Sequence, residues 1–346
     1  MRARIALAGV GNCASVFIQG LAHYTSAQKP GLWHPRVAGM RPSDLKVVAA
    51  FDIDERKVGL GLHKAIFAAP NVAQRYVDVP NTGVVVAPGL SKGEIAPHLS
   101  SAKLSTTNRA KLVEQLQAAD ADILLNLISS GSDGSSEEYA VAALEAGCAF
   151  VNCTPSQLLK RRALAERFAR AKLPLVGDDL MSQFGGTVFH KGLLNLMVNR
   201  GVMLTKSYQL DVGGGSETLN TIDERVKQAK RSLKTTSVAS EVPYKFETVA
   251  GTTDFVDYMG NDRTSYFWVE GDGFLGSGVT VDVYLRSSDG ANAGNILFDV
   301  LRATYAAKKA KKLKAVKEIC AYGFKSPPKK ERFEKGYRKF VSAFVE

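Results

Sequence analysis

Cysteine is scarce in this chain. Four occur among 346 residues, Cys13, Cys148, Cys153 and Cys320, and none stands in a C-x-x-C pair. That excludes a disulfide-stapled scaffold and a paired-cysteine zinc site, and it predicts reduced thiols in a cytoplasmic protein. The histidines are also few: His23, His34, His63, His98 and His190 fall in no metal-ligand spacing, so no catalytic zinc is expected. No apolar run reaches the ~18 residues of a membrane-spanning helix, so no membrane partner is expected. The first residues enter an apolar strand pattern at once, which speaks against a secretory signal peptide. Acidic residues are outnumbered, 34 against 45 basic, for a net charge of +11. Much of the excess lies in 308–317 and 329–338. No aromatic residues interleave these lysines in a binding pattern. They read as a solvated helix face that draws an anionic substrate, and no nucleic-acid partner is expected.

What is present begins at residues 5–15, IALAGVGNCAS. The apolar run Ile5, Ala6, Leu7, Ala8 suits a buried parallel strand. A G-x-G-x-x-A loop follows, in which Gly9 permits the turn and Gly11 leaves room for a pyrophosphate. Asn12 and Cys13 complete the loop, and Ala14 lets helix and sheet pack closely. Free N–H groups at the start of the next helix would face the anion. An acidic residue should end the second strand and bond a ribose 2′-hydroxyl. Asp52, after KVVAAF, stands there and favours NAD over NADP; Asp54 is the competing carboxylate.

Strand and helix patterns alternate over the first half. Strands are expected at 3–8, 46–51, 122–128, 148–152 and 173–177, and helices at 13–25, 54–64, 107–119, 135–146 and 156–171. The fold class is α/β, a Rossmann doubly wound parallel sheet with an inserted α+β oligomerisation and catalytic domain. The expected division is a Rossmann domain over 1–187, the inserted domain over 188–291, and a C-terminal segment over 292–346 that packs back on the first. Within the insert, period-two patterns at 202–212, 244–247, 266–270 and 279–286 predict a largely antiparallel sheet with one open face. Ser129 and Ser130 end one Rossmann strand in a small-residue turn, and Thr154 ends the next. Both places suit a cofactor crossing the strand ends.

Beyond the glycine loop, four segments carry chemistry. GDDLMSQFGGT pairs Asp178 with Asp179, and its Ser182, Gly185, Gly186 and Thr187 could hold a phosphate. LDVGGGSETLN ends a strand in three glycines. KRSLKTTSV places Lys230 and Lys234 four apart on one helix face. YGFKSPP holds Lys325 beside two prolines.

In order along the chain, GVGNCAS, FVNCTPS, VGDDLMSQFGGT, LDVGGG, KRSLKTTSV, SDGANAGNILFDVLRA and FKSPP resemble the myo-inositol 1-phosphate synthases, in their shorter bacterial and archaeal form. The resemblance implies an NAD-dependent isomerase that makes inositol phosphate from open-chain glucose 6-phosphate. C5 is oxidised, C6 enolises, aldol attack on C1 closes the ring, and the ketone is reduced again. It implies catalytic roles for Lys230, Lys234, Lys325, Asp179, Asp289 and Arg263. It further implies a cofactor site including Asp178, a phosphate loop of Ser182, Gly185, Gly186 and Thr187, and a homotetramer. A monovalent or divalent cation near Asp289 is a second candidate cofactor. Four positions depart from the family pattern. Met181 replaces a lysine, Gly215 and Glu217 stand where GGN-x-D is usual, and Arg263 stands at a lysine. Another sugar phosphate as substrate, or an NAD-binding scaffold without turnover, are the alternatives these departures raise.

Overall fold

The computed structural model describes residues 2–25 and 30–345. The first half builds a six-stranded parallel sheet from β1 (Ala3–Ala8), β2 (Leu45–Asp52), β3 (Val86–Pro88), β4 (Ile123–Asn126), β5 (Ala149–Asn152) and β6 (Leu175–Val176). Its order is β3-β2-β1-β4-β5-β6, with every pairing parallel. Because the order turns around between β1 and β4, a crevice opens at their carboxyl ends. The helices of this half are α1 (Asn12–His23), α2 (Leu62–Ala65), α3 (Arg109–Ala118), α4 (Asp133–Glu145) and α5 (Arg162–Arg170).

Side-chain alternation explains the layers. Ile5 and Leu7 of β1 point into one core with Phe17 of α1. Ala6 and Ala8 point into the other with Leu112 of α3 and Tyr139 of α4. Both faces are buried, which is why the strands read as continuous apolar runs. The first core is completed from the far end of the sequence by α9 (Ala291–Lys309), α10 (Val316–Gly323) and α11 (Phe333–Phe344). Gly20 of α1 permits the closest approach, since a Cβ there would meet the Phe298 ring at 2.8 Å.

The helix expected at 54–64 is a correction: only the single turn of α2 forms. Asp54 folds back to accept from the Arg56 N–H at 3.0 Å, and Gly59 adopts φ +86°. Both features compete with helix. The sequence reading also passed over β3, a short strand at the sheet edge.

The second sheet, in order β10-β9-β7-β8, contains β7 (Met203–Gly213), β8 (Glu247–Phe255), β9 (Asp262–Asp272) and β10 (Gly278–Ser288). Two of its pairings are antiparallel, but β7 and β8 run parallel because α8 (Glu224–Ala239) crosses between them. One face packs on α6 (Gly186–Asn199) and α8 through Leu194, Leu204, Val238 and Val269. The other face carries an aromatic ladder. Tyr208 stacks on Trp268 at 5.4 Å and Tyr266 on Tyr284 at 4.8 Å between ring centroids, and Tyr284 is 70% exposed. Among the described residues no helix is long and apolar enough to cross a membrane.

Candidate functional site

The crevice between β1 and β4 is where the two sheets meet. The glycine loop forms its floor. Gly9 has φ +89°, and a Cβ there would come within 2.8 Å of the Leu127 carbonyl, so the turn admits only glycine. Gly11 precedes α1, and nothing lies within 4 Å of where its Cβ would be. That open space is what a pyrophosphate needs. Asp52 braces the loop: Oδ2 accepts from the Val10 N–H at 2.7 Å and Oδ1 from the Asp54 N–H at 2.9 Å. Lys57 adds a bond to the Val10 carbonyl at 3.0 Å. Gly9, Gly11, Asp52 and Ser129 line one cavity with His98 and Tyr139. Asp54 is turned away and paired with Arg56. Asn12 faces the next cavity, but its side-chain oxygen already accepts from the Val72 and Ala73 N–H groups.

That next cavity shares Gly11 and Ser129 with the first. Cys13, Ser130, Thr154 and Asp179 line it from the parallel sheet. Ser182, Gly185, Gly186 and Thr187 line it at the N-terminus of α6. Lys230 and Lys234 enter from α8, Arg263 from β9, Asp289 from the start of the α9 segment, and Lys325 from just beyond α10. Asp178 is the predicted residue that does not reach either cavity. It is fully buried, accepts from Asn152 Nδ2 at 2.6 Å and from the Leu159 N–H at 3.0 Å, and burial pushes its carboxyl up to about 7. It stiffens the strand ends from below. Met181 is also buried and takes no part in the cavity wall.

Each basic group in the cavity meets a carboxylate. Lys230 lies 2.5 Å from Glu217, Lys234 2.7 Å from Asp211, Arg263 2.9 Å from Asp289 and Lys325 2.7 Å from Asp179. Glu217 lies in the single turn of α7 (Ser216–Leu219) and also accepts from the Ser130 hydroxyl. Burial raises its pKa, but the Lys230 ammonium outweighs this and holds the carboxyl below its ordinary range. The same balance, with Lys234 and Arg263 as the cations, holds Asp211 low. Sequence reasoning did not assign Glu217 or Asp211 to the site. Asp211 had a signal: it shares the inward face of β7 with Ser207 and Gln209, a polar run on a face that should be apolar. The Cys13 and Cys153 thiols are both pushed up by burial, Cys13 to about 12, so they are neutral wall residues. Among the described residues, three buried polar atoms of the wall have no protein partner: Gln209 Oε1, Asn261 Nδ2 and Arg263 Nε. Among the described residues no group of three or more His, Cys, Asp or Glu side chains is placed to hold a metal ion.

The cavity can therefore bind an anion at a helix N-terminus, beside four cations, against a floor built for a dinucleotide. The comparisons with known proteins agree. A family model described as Myo-inositol-1-phosphate synthase matches residues 185–290. The inositol-3-phosphate synthase of Mycobacterium tuberculosis is 35% identical over 333 residues, covering 94% of this chain and 91% of that protein. The crystal structure of Ari2 is 31% identical, covers 99% of both chains and superposes with a TM-score of 0.79. A myo-inositol-1-phosphate synthase-related protein from Thermotoga maritima shares the fold at 18% identity and a TM-score of 0.83, covering 99% of this chain and 98% of that one. The chain belongs to the myo-inositol-1-phosphate synthase family and is an enzyme of that kind.

Proposed function

We propose that this chain converts glucose 6-phosphate to an inositol phosphate, with NAD in the glycine-loop cavity and the sugar phosphate in the adjoining one. The observation that carries the reading is the convergence of Lys230, Lys234, Arg263 and Lys325 with the α6 N-terminus in one cavity that opens onto the glycine loop. The loop fits the cofactor. Gly11 leaves open space at the helix start, and Asp52 presents its carboxylate at the end of β2. Bound there, NAD would supply the reversible oxidation of the C5 carbinol.

The protein's own groups do the rest. Gly185, Gly186 and the hydroxyls of Ser182 and Thr187 hold the substrate phosphate. Lys325 donates to the oxygen at C5, where negative charge develops once C6 gives up its proton. Asp179 keeps that ammonium aimed. The new ketone makes the C6 proton acidic; the Glu217 carboxylate, which lines the wall beside the Lys230 ammonium, takes it and passes it through Lys230 to the C1 oxygen as the ring closes. Ring closure then joins C6 to C1. Arg263 stays charged throughout and cannot act as a proton-transfer lysine. Its guanidinium sits on Asp289, so it supplies the positive charge there in place of a free cation.

A second reading keeps the chemistry and changes the sugar. Met181 is buried off the wall, and Gly215 adds no side chain to it. Two contacts usual in the family are therefore missing. Four free thiols support a reducing compartment such as the cytoplasm. The open aromatic face of the second sheet supports a homotetramer of dihedral symmetry built on that face.

Incubation with NAD and glucose 6-phosphate, followed by phosphorus NMR, tests the function. Inositol phosphate should accumulate with no net NADH. Turnover of another aldose or ketose phosphate alone would select the second reading. A folded, NAD-binding protein that consumes no sugar phosphate would overturn the proposal and leave a scaffold.

A further inference from the structure

Lys234 leaves α8 for the cavity wall, and its ammonium meets a carboxylate that has almost no exposed surface. Asp211 Oδ2 accepts from Lys234 Nζ at 2.7 Å. Asp211 Oδ1 accepts from Gln209 Nε2 at 2.8 Å and from Ser265 Oγ at 2.6 Å. Gln209, Asp211 and Ser265 are all buried. Gln209 and Lys234 line the cavity, but Asp211 does not. The carboxylate therefore works from behind the wall, where no ligand can reach it.

Two glycines make room for this group. The β7–β8 register skips between Gln209 and Leu210, and Gly251 is the extra residue, with φ +83°. A Cβ on Gly251 would overlap Lys234 Cδ, and one on Gly186 would overlap Gln209 Nε2. A bulge in one strand and the first residue of a helix are both shaped around the Lys234–Asp211 pair.

Charged groups face the ammonium from several elements, while β8 packs on it through Gly251 and offers no charge. Asp211 reaches it from β7, Arg263 from β9 and Lys325 from beyond α10, while Lys230 lies one turn back on α8. His190 of α6 faces Asp211. Burial pulls the Lys234 pKa down, Arg263 and Lys325 pull the same way, and Asp211 is the carboxylate that opposes them.

We propose that Asp211 is a positioning residue that holds Lys234 as a permanent ammonium, so that Lys234 serves the substrate as a fixed cation and takes no part in proton transfer. The inference rests on the cavity being the sugar-phosphate site. Binding cannot discharge Asp211, because the substrate does not touch it. Glu217, the partner of Lys230, lines the wall itself, within a ligand's reach.

Asp211→Asn tests this, since the amide oxygen still accepts from Gln209 and Ser265. The first readout needs no turnover: acetylation of Lys234 by acetic anhydride across pH 6–10 in the full-length protein, read by mass spectrometry. Without its counterion a buried lysine loses its proton more easily, so label should enter Lys234 at pH 8 roughly ten-fold faster or more in the variant. The second readout is turnover. The variant's KM for the sugar phosphate should rise between about pH 6 and 8 and recover on acidification, a dependence that the unsubstituted enzyme lacks, with kcat little changed. Ser265→Ala, which removes one bond to the carboxylate, should move labelling the same way by less, and it serves if Asp211→Asn does not fold. Identical labelling of Lys234 in the folded variant and the parent overturns the proposal. A labelling shift without turnover in either protein would sink the functional reading and Lys234's service to a substrate with it, and leave standing only that Asp211 holds Lys234 protonated.

Discussion

Replacing Lys325 with Met separates what that lysine does for the fold from what it does for the reaction. Its ammonium lies 2.7 Å from Asp179, and the two side chains are 14% and 13% exposed. Breaking a fully buried pair on one side costs about 3–5 kcal/mol, and the remaining exposure brings the expected cost here to about 2–3 kcal/mol. The backbone clasp survives. The Lys325 N–H still donates to the Asp179 carbonyl at 2.8 Å, and the Ser326 N–H to the Asp178 carbonyl at 3.1 Å. The variant should therefore fold. Its chemical loss is a different quantity: one donor at a developing oxyanion is worth about 10²–10³ in kcat. Asp179→Asn added to Lys325→Met removes the orphaned carboxylate. Urea melts of the double variant should regain most of the lost stability. Turnover, followed by inositol phosphate formation, should not return. Recovery of turnover together with stability would refute the catalytic role and reduce Lys325 to a structural tie.

Asp52→Asn should weaken NAD by about 1–3 kcal/mol and erase the preference over NADP, measured by titration calorimetry with both; an undiminished preference would remove Asp52 from the ribose site. His190 is buried, and burial pushes its imidazole down to about 4. Its folded pKa lies below the unfolded value of about 6.5, so the stability it contributes is present above pH 6.5 and falls away toward pH 4, by about 2 kcal/mol at pH 5. Asp178, pushed up to about 7, acts in the opposite sense over nearly the same range. The two offset each other, so His190→Gln should make the protein more resistant to urea at pH 5 than at pH 7.5. An unchanged pH profile would contradict this. Tyr284→Arg, on the aromatic face, should lower the mass seen by light scattering while leaving the monomer's circular dichroism intact; an unaltered tetramer would exclude that face from the assembly.

The parallel sheet was legible because both of its faces are buried, so its strands appear as apolar runs and its turns as glycines. Asp52 was legible for a related reason, since a carboxylate ends an apolar strand. The segment 54–64 misled because its apolar spacing suits a helix, while the Asp54 side chain and Gly59 spend the backbone on turns. β3 escaped notice because three residues ending in Pro88 make too short a pattern at a sheet edge. In the candidate site, the lysines and the loop from Ser182 to Thr187 could be picked out by residue type and resemblance. Asp179 and Asp289 came with the same resemblance, but Asp211 and Glu217 were given no role, and the pairing of cation with carboxylate could not be read. Glu217 and Lys230 are 13 residues apart, Asp211 and Lys234 23, and Lys325 and Asp179 146, and no local pattern links such partners. Asp178 was misjudged beside Asp179 because the sequence does not tell which of two adjacent carboxylates faces a cavity.

The packing of α9 on α1 has a consequence during synthesis. Phe17 and Gly20 of α1 meet Phe298 of α9, with 5.4 Å between the Phe17 and Phe298 ring centroids. A ribosome adding ~5–20 residues per second takes about 15–60 s to pass from one partner to the other. Through that interval the nascent sheet can cover the face packed by α3, α4 and α5, but the opposite apolar face has only α1 and α2 and waits for α9, α10 and α11. The enzyme's window of exposure to chaperones and to aggregation is thus set by the order of its parts along the chain. A stalled or slowed ribosome between residues 200 and 290 would prolong it without altering a single contact of the finished molecule.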